Sequence, residues 1–204
     1  MQILDTVIDK QIIERSEFIA ILSRCFSIEQ AKSLVEQARI DYPNATHYCY
    51  AYLLQNNQYS KSNDNGEPSG TAGAPILQVL LKNKLDNVIC IVIRYFGGIK
   101  LGAGGLIRAY SGAAANVVNK AILTEFIPWH VFQFSCSYDK IGIINNLVDD
   151  QFKIIDTQYS DQVTFTIHTT KEDNQQTLDN ALKQAVSIQS FDDLLVETPL
   201  GKED

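Results

Sequence analysis

Hydrophobic positions change period several times along the chain, and each change marks a new element. Residues 16–26 (SEFIAILSRCF) read as a strand. Ser27-Ile28-Glu29-Gln30 then fits a capping box, the serine closing the first helical turn and the glutamine reaching back. Ile28, Ala31, Leu34, Val35 and Ala38 recur at helical spacing, which predicts an amphipathic helix over 28–40. From Thr46 to Leu54 the period drops to two. His47, Cys49, Ala51 and Leu53 take one face of that strand, and Tyr48, Tyr50 and Tyr52 the other. QNNQYSKSNDNGEP is polar and turn-rich, which predicts a mobile loop. Pro75 suits the first turn of a short helix continued by Ile76, Leu77, Val79 and Leu80. VICIVI (88–93) is apolar on both faces, the mark of a buried central strand. Over 104–123, Leu106, Ile107, Tyr110, Ala113, Ala114, Val117, Val118 and Ala121 form a helical stripe. Strand and helix thus alternate three times, which indicates an α/β sandwich with helices against a sheet.

Glu125 to Trp129 reads as a junction, giving an N-terminal domain of residues 1–127 and a C-terminal one of 128–204. VFQFSCSY alternates as a strand, and Ile141, Ile144, Leu147 and Val148 make a short helix. FKIIDTQY and QVTFTIHT pair as a hairpin around Ser160-Asp161. Leu178, Ala181, Leu182, Ala185 and Val186 predict a second helix, and DLLVE a last strand, with a frayed tail from Thr198. That order, β-α-β-β-α-β, is ferredoxin-like. The whole chain is expected to be an α+β protein of two domains.

Composition narrows the function classes. With 45% apolar and 20% charged residues the chain is ordinary globular protein. A net charge of −7 argues against nucleic-acid binding over the whole surface but leaves room for a local basic face. The start has no basic flank ahead of an apolar core, and no run reaches the ~18 apolar residues of a bilayer span. The expectation is a soluble cytoplasmic protein with no membrane partner. Cys25, Cys49, Cys90 and Cys136 lie in apolar runs without paired spacing, so buried free thiols are expected rather than disulfides.

The candidate chemistry lies between Gly66 and Gly112, which hold nine of the eleven glycines. Such a cluster implies positive φ, close approach of backbone to a ligand, or tight packing. From Asn87 to Thr124 there is no acid at all, while Arg94, Lys100, Arg108 and Lys120 are present. The cluster joins a buried strand to a helix start, where N–H groups favour an anion. Arg94, Gly97, Gly98, Lys100, Gly102, Gly104, Gly105 and Arg108 are therefore the candidate anion or nucleic-acid contacts. A helix packed close to a sheet would show the same small residues, and Arg94 and Arg108 could equally pair with Glu67 or Asp86. The loop matches neither the dinucleotide fingerprint nor the Walker loop. Glu67, Ser69 and Thr71 lie on a supporting loop, with turn and capping roles open to them. The three histidines share no ligand spacing, so neither a metal nor a cofactor is expected, and no catalytic residue stands out.

Two long segments carry a resemblance. NGEPSGTAGAPIL (65–77) and RYFGGIKLGAGGLIRAY (94–110) resemble the two signatures of the IMPACT family, and Ser16-x-Phe18 and HYCYAY (47–52) match its supporting segments. Nearly the whole chain is similar to the bacterial YigZ-type members. The resemblance implies a first domain with the fold shared by GHMP kinases and domain IV of elongation factor G. It implies a ferredoxin-like second domain, like domain V of that factor. Nucleic-acid or ribosome-related binding is implied for bacterial members. The resemblance implies that eukaryotic members restrain a translation-control kinase by competing for its ribosome-associated activator; they carry an extra N-terminal partner-binding domain that is not expected here, and the family transfers no catalytic residues. Three functions follow as expectations. The first is a translation-related regulatory protein that contacts RNA or the ribosome through the basic Gly-rich site. The second is an enzyme on a phosphorylated or anionic small molecule, with Glu67 as base or metal ligand. The third is a protein-interaction adaptor anchored by an exposed Tyr95-Phe96 pair.

Overall fold

The computed structural model describes residues 1–147, 153–169 and 187–200. The chain divides into two compact units, Met1–Thr124 with the segment from Pro199, and Glu125–Thr198.

The first unit is built on a five-stranded sheet. Its strands are β2 (Val7–Ile13), β3 (Ser16–Arg24), β4 (His47–Leu54), β5 (Tyr59–Asn63) and β6 (Val88–Tyr95), in the order β2-β3-β6-β4-β5. Every neighbouring pair is antiparallel. The expected VICIVI strand is the centre of this order. A short β1 (Gln2–Ile3) pairs with the start of β7 (Leu123–Cys136) instead.

Period-two alternation assigns the two sheet faces. Phe18, Ala20, Leu22, Cys49, Ala51, Leu53, Val88, Cys90 and Val92 pack against α2 (Gly73–Lys82) and α3 (Gly102–Lys120). Ile19, Tyr48, Tyr52, Ile89, Ile91 and Ile93 form a second cluster with Ala31, Val35 and Ala38 of α1 (Ile28–Asp41). The unit therefore has helices on both faces, with the tyrosines of β4 beneath α1. Ser27 caps the start of α1 as expected, and Gln30 reaches back one residue beyond the cap. Gln30 N–H donates to Ser27 Oγ at 3.1 Å, and Gln30 Oε1 accepts from Phe26 N–H at 2.8 Å.

Two strands depart from the expectation. Tyr59–Asn63, expected as mobile loop, is β5, an edge strand in register with Tyr50–Leu54. Its polarity suits an edge that faces water and gives no hydrophobic signal. β2 was not anticipated, and its hairpin with β3 turns at Glu14 and Arg15, both at positive φ. The stripe predicted to 123 ends sooner, because Ala121 is extended (φ −68°, ψ 145°) and Leu123 begins β7.

In the second unit, β7 runs unbroken through Glu125–Trp129, the expected junction. A 3₁₀ turn (Tyr138–Lys140) leads to α4 (Ile141–Leu147). β8 (Lys153–Tyr159) and β9 (Val163–Thr169) form the expected hairpin, with a bulge between Ile154 and Asp156. β9 pairs with β7, and so does β10 (Ser187–Pro199). Phe132, Phe134, Val163, Phe165 and Ile167 make the core with Ile144. The helix predicted over Leu178–Val186, and Val148 at the end of the other, lie outside the described residues. Thr198 and Pro199 are not a frayed tail: they belong to β10, and Leu200 N–H donates to Leu123 O at 2.8 Å.

Candidate functional site

The site grows from the end of β6. Val88, Cys90 and Val92 point to the face under α2 and α3, so the same alternation carries Arg94 inward. Arg94 is 4% exposed. Its Nη1 donates to Glu67 Oε1 at 2.6 Å and its Nη2 to Ser16 Oγ at 3.2 Å. Tyr110 of α3 donates its hydroxyl to the same Oε1 at 2.8 Å. Burial raises the Tyr110 pKa, and the neighbouring Cys49 and Glu67 raise it further, so the hydroxyl keeps its proton and stays a donor. His47, opposite Arg94 in the ladder, lies 3.8 Å from Oε1 through Nε2, while its Nδ1 meets Asn65 O at 2.8 Å. The Arg94 guanidinium lies 5.4 Å from the rings of both Phe18 and Phe96. A charge so buried persists because it is paired and hydrogen-bonded.

The loop that carries Glu67 is organised by Asp64. Its Oδ1 accepts from Ala72 N–H at 3.0 Å and Gly73 N–H at 2.8 Å, and its Oδ2 from Gly70 N–H at 2.8 Å. Partial burial raises the Asp64 pKa, but these three donors outweigh it and hold the carboxyl below its usual range. The start of α2 thus has an internal anion. Gly73 is needed there because a Cβ would sit 2.5 Å from Asn63 N.

The start of α3 has none. Leu101 at its N-cap makes no side-chain cap, and the first turn has no acid. Gly102, Ala103 and Gly104 are exposed. Gly102 takes φ +69°, and a Cβ on Gly104 would meet only Arg108 Nη1 at 3.6 Å. Lys100 and Arg108 are exposed, and among the described residues neither forms an ion pair. Asp86, a possible partner for Arg108, instead accepts from Asn56 and Asn57 N–H. A cleft of about 320 Å³ opens at this helix start, lined by Glu67, Arg94, Phe96, Lys100, Gly102 and Ala103 among others.

The expected site residues therefore separate. Arg94 is not a surface charge: the pairing with Glu67 is the arrangement that the geometry holds. Gly97 serves packing, since a Cβ would lie 2.0 Å from the Arg15 carbonyl. Gly98 is exposed at φ +87°, and Gly105 faces Leu101 Cβ at 2.9 Å. Lys100, Gly102, Gly104 and Arg108 are gathered at the α3 start. On the supporting loop, Thr71 is buried with its hydroxyl donating to Pro68 O at 2.6 Å, and Ser69 is exposed. The Tyr95-Phe96 pair is not jointly exposed. Tyr95 packs under α1 with its hydroxyl donating to Pro43 O at 3.1 Å, and Phe96 alone stands out at 45% exposure.

Sequence reasoning missed Asp64, Ser16 and Tyr110 as organisers of this site. For Tyr110 a signal existed, its place in the buried stripe of α3. All four cysteines are buried free thiols. Burial pushes Cys49 and Cys90 up to about 12, so they stay protonated at neutral pH. His47 and Cys49 both contact the 64–65 loop, Cys49 Sγ donating to Asp64 O at 2.9 Å. Among the described residues no cluster of three or more His, Cys, Asp or Glu side chains suits a metal ion. None of their helices is long and apolar enough to cross a membrane.

Residues 14–118 match the Impact N-terminal domain, so both Gly-rich segments fall inside the match. The chain is similar to IMPACT family member YvyE of Bacillus subtilis (strain 168), 40% identical over 164 residues, covering 79% of this chain and 76% of that protein. It is also similar to IMPACT family member YigZ of Escherichia coli (strain K12), 34% identical over 158 residues, covering 76% of each. Among solved structures, a crystal structure of a hypothetical protein aligns over 93% of this chain and 96% of its own, with a TM-score of 0.58 and 27% identity. The match over both signatures, and the identity to curated members across most of their length, place this chain in the IMPACT family.

Proposed function

We propose that this protein is a translation-related regulatory protein that binds RNA, ribosomal or transfer, by taking a backbone phosphate at the start of α3. One observation carries the reading. The first turn of α3 is uncapped, acid-free and exposed, with unpaired Lys100 and Arg108 beside it. Bare N–H groups at a helix start favour an anion, and two exposed cations add point charges. Arg94 is left out of this contact set because it is neutralised inside by Glu67.

Two finer fold assignments go with the proposal: the elongation-factor domain IV and GHMP kinase fold for the first unit, and a ferredoxin-like second unit. The order β7, α4, β8, β9 and β10 supports the latter. An enzyme acting on an anionic small molecule is the weaker reading, because Glu67, its only candidate base, is held by Arg94 and Tyr110. Cosedimentation with ribosomes and RNA across a salt series tests the proposal. Two phosphate contacts to a single strand give a slope of log K against log salt of about −1.4. Binding should vanish in a folded Lys100→Ala/Arg108→Ala variant, and binding that is indifferent to both changes defeats the proposal.

A further inference from the structure

Resting on the α3 start as a phosphate site, we propose that the adjoining cleft recognises a ribonucleotide unit. The ribose 2′-hydroxyl donates to Glu67 Oε2, and the base stacks on Phe96. The Glu67 side chain is only 4% exposed, yet it lines the cleft. Each hydrogen bond and ion pair that reaches this carboxylate ends on Oε1. No donor among the described residues reaches Oε2. Oε2 is not among the buried polar atoms left without a partner, so it stays accessible where Glu67 lines the cleft and can accept from a donor bound there. The donor that fits is neutral: Lys100 and the positive end of α3 repel an ammonium group and leave room for a hydroxyl.

Phe96 supplies the third element. It lines the same cleft, is 45% exposed, and is backed by the Arg94 guanidinium. Its backbone N–H is tied to Thr46 Oγ1 at 3.1 Å, which holds the ring's base in place. Such a ring is a stacking platform for a base. The cleft volume of about 320 Å³ is within the range of small-ligand sites. A phosphate, a neutral hydroxyl donor and a flat ring together describe a ribonucleotide. DNA lacks the hydroxyl, and a sugar phosphate lacks the ring.

The unit belongs either to an RNA strand or to a free ribonucleotide. Single-stranded oligonucleotides of one sequence in ribo, deoxyribo and 2′-fluoro chemistry, and free ribonucleoside and deoxyribonucleoside monophosphates, are titrated against the full chain by calorimetry. The ribo form should bind about tenfold more tightly than either of the others, the scale of one hydrogen bond to a charged acceptor. Phe96→Ala should weaken all three oligonucleotides by about tenfold and keep their ranking. Monophosphates that bind with the same ribo preference identify the free nucleotide as the source. RNA binding without monophosphate binding identifies the strand. Equal affinity for the three chemistries, abolished by Lys100→Ala/Arg108→Ala, overturns the ribose assignment and leaves the phosphate site standing. No binding by any probe overturns both.

Discussion

The two Gly-rich segments each lead into a helix, but the two helix starts differ. At α2, Asp64 accepts from Gly70, Ala72 and Gly73, so the N–H groups are already satisfied from within. At α3 no side chain caps the first turn, and Lys100 and Arg108 stand beside it. The arginines differ in the same way. Arg94 is sunk against Glu67 in the wall of the cleft, and Arg108 is exposed on α3. One helix start is filled by an internal carboxylate and the other is not. Glycine content and local charge alone do not tell these roles apart, because both depend on which N–H groups find an internal acceptor.

Substitutions on the two sides should separate accordingly. Arg94→Ala leaves Glu67 buried without its counter-charge and should cost about 3–5 kcal/mol in chemical denaturation. If it costs less than the Arg108 change, the buried and exposed arginines have been assigned the wrong way round. Asp64→Asn keeps one acceptor and loses the charge, for an expected loss of about 1–3 kcal/mol. Because the folded Asp64 carboxyl titrates below its ordinary value of 3.8, its stabilisation is complete above that value. It is lost as pH falls through the lower folded value, so the variant should show a flatter acid limb in a pH-melting series. Gly104→Ala meets only the Arg108 guanidinium, at an ordinary contact distance of 3.6 Å, and should stabilise α3 by up to about 1 kcal/mol while weakening RNA binding, since the added methyl stands where a phosphate would approach. An unchanged affinity would count against backbone contact at that turn. Lys100→Ala and Arg108→Ala should each shift stability by less than about 0.5 kcal/mol and act on binding alone, which pairs a thermal melt with a cosedimentation assay.

Much of the frame was legible in the sequence. The Ser27 cap of α1, the tyrosine alternation of β4 and the central position of VICIVI all follow from short-range periodicity, and tertiary context left them alone. β5 was not legible because YSKSN has no apolar face, and an edge strand needs none. β2 was hidden by its turn. Two-residue hairpins of this hand favour Asn-Gly, whereas here Glu14 and Arg15 take the positive φ values. The candidate site was half legible. Composition marked the segment, but the inward turn of Arg94 follows from its parity with Cys90 and Val92, a signal present in the strand pattern and outweighed by the acid-free run. Asp64 carried no such signal, since its three partners are backbone N–H groups brought together only by the folded loop.

The sealing of the four thiols bears on how the open helix start can be studied. Cys25, Cys49, Cys90 and Cys136 are all buried, and two of them are held near a pKa of about 12. A thiol-directed reagent therefore finds no reactive sulfur on the folded chain at neutral pH. The wild-type protein supplies a chemically silent background, against which one cysteine introduced at Lys100 becomes a unique attachment point. A photocrosslinker tethered there reports, by what it captures, the molecules that come within reach of the first turn of α3.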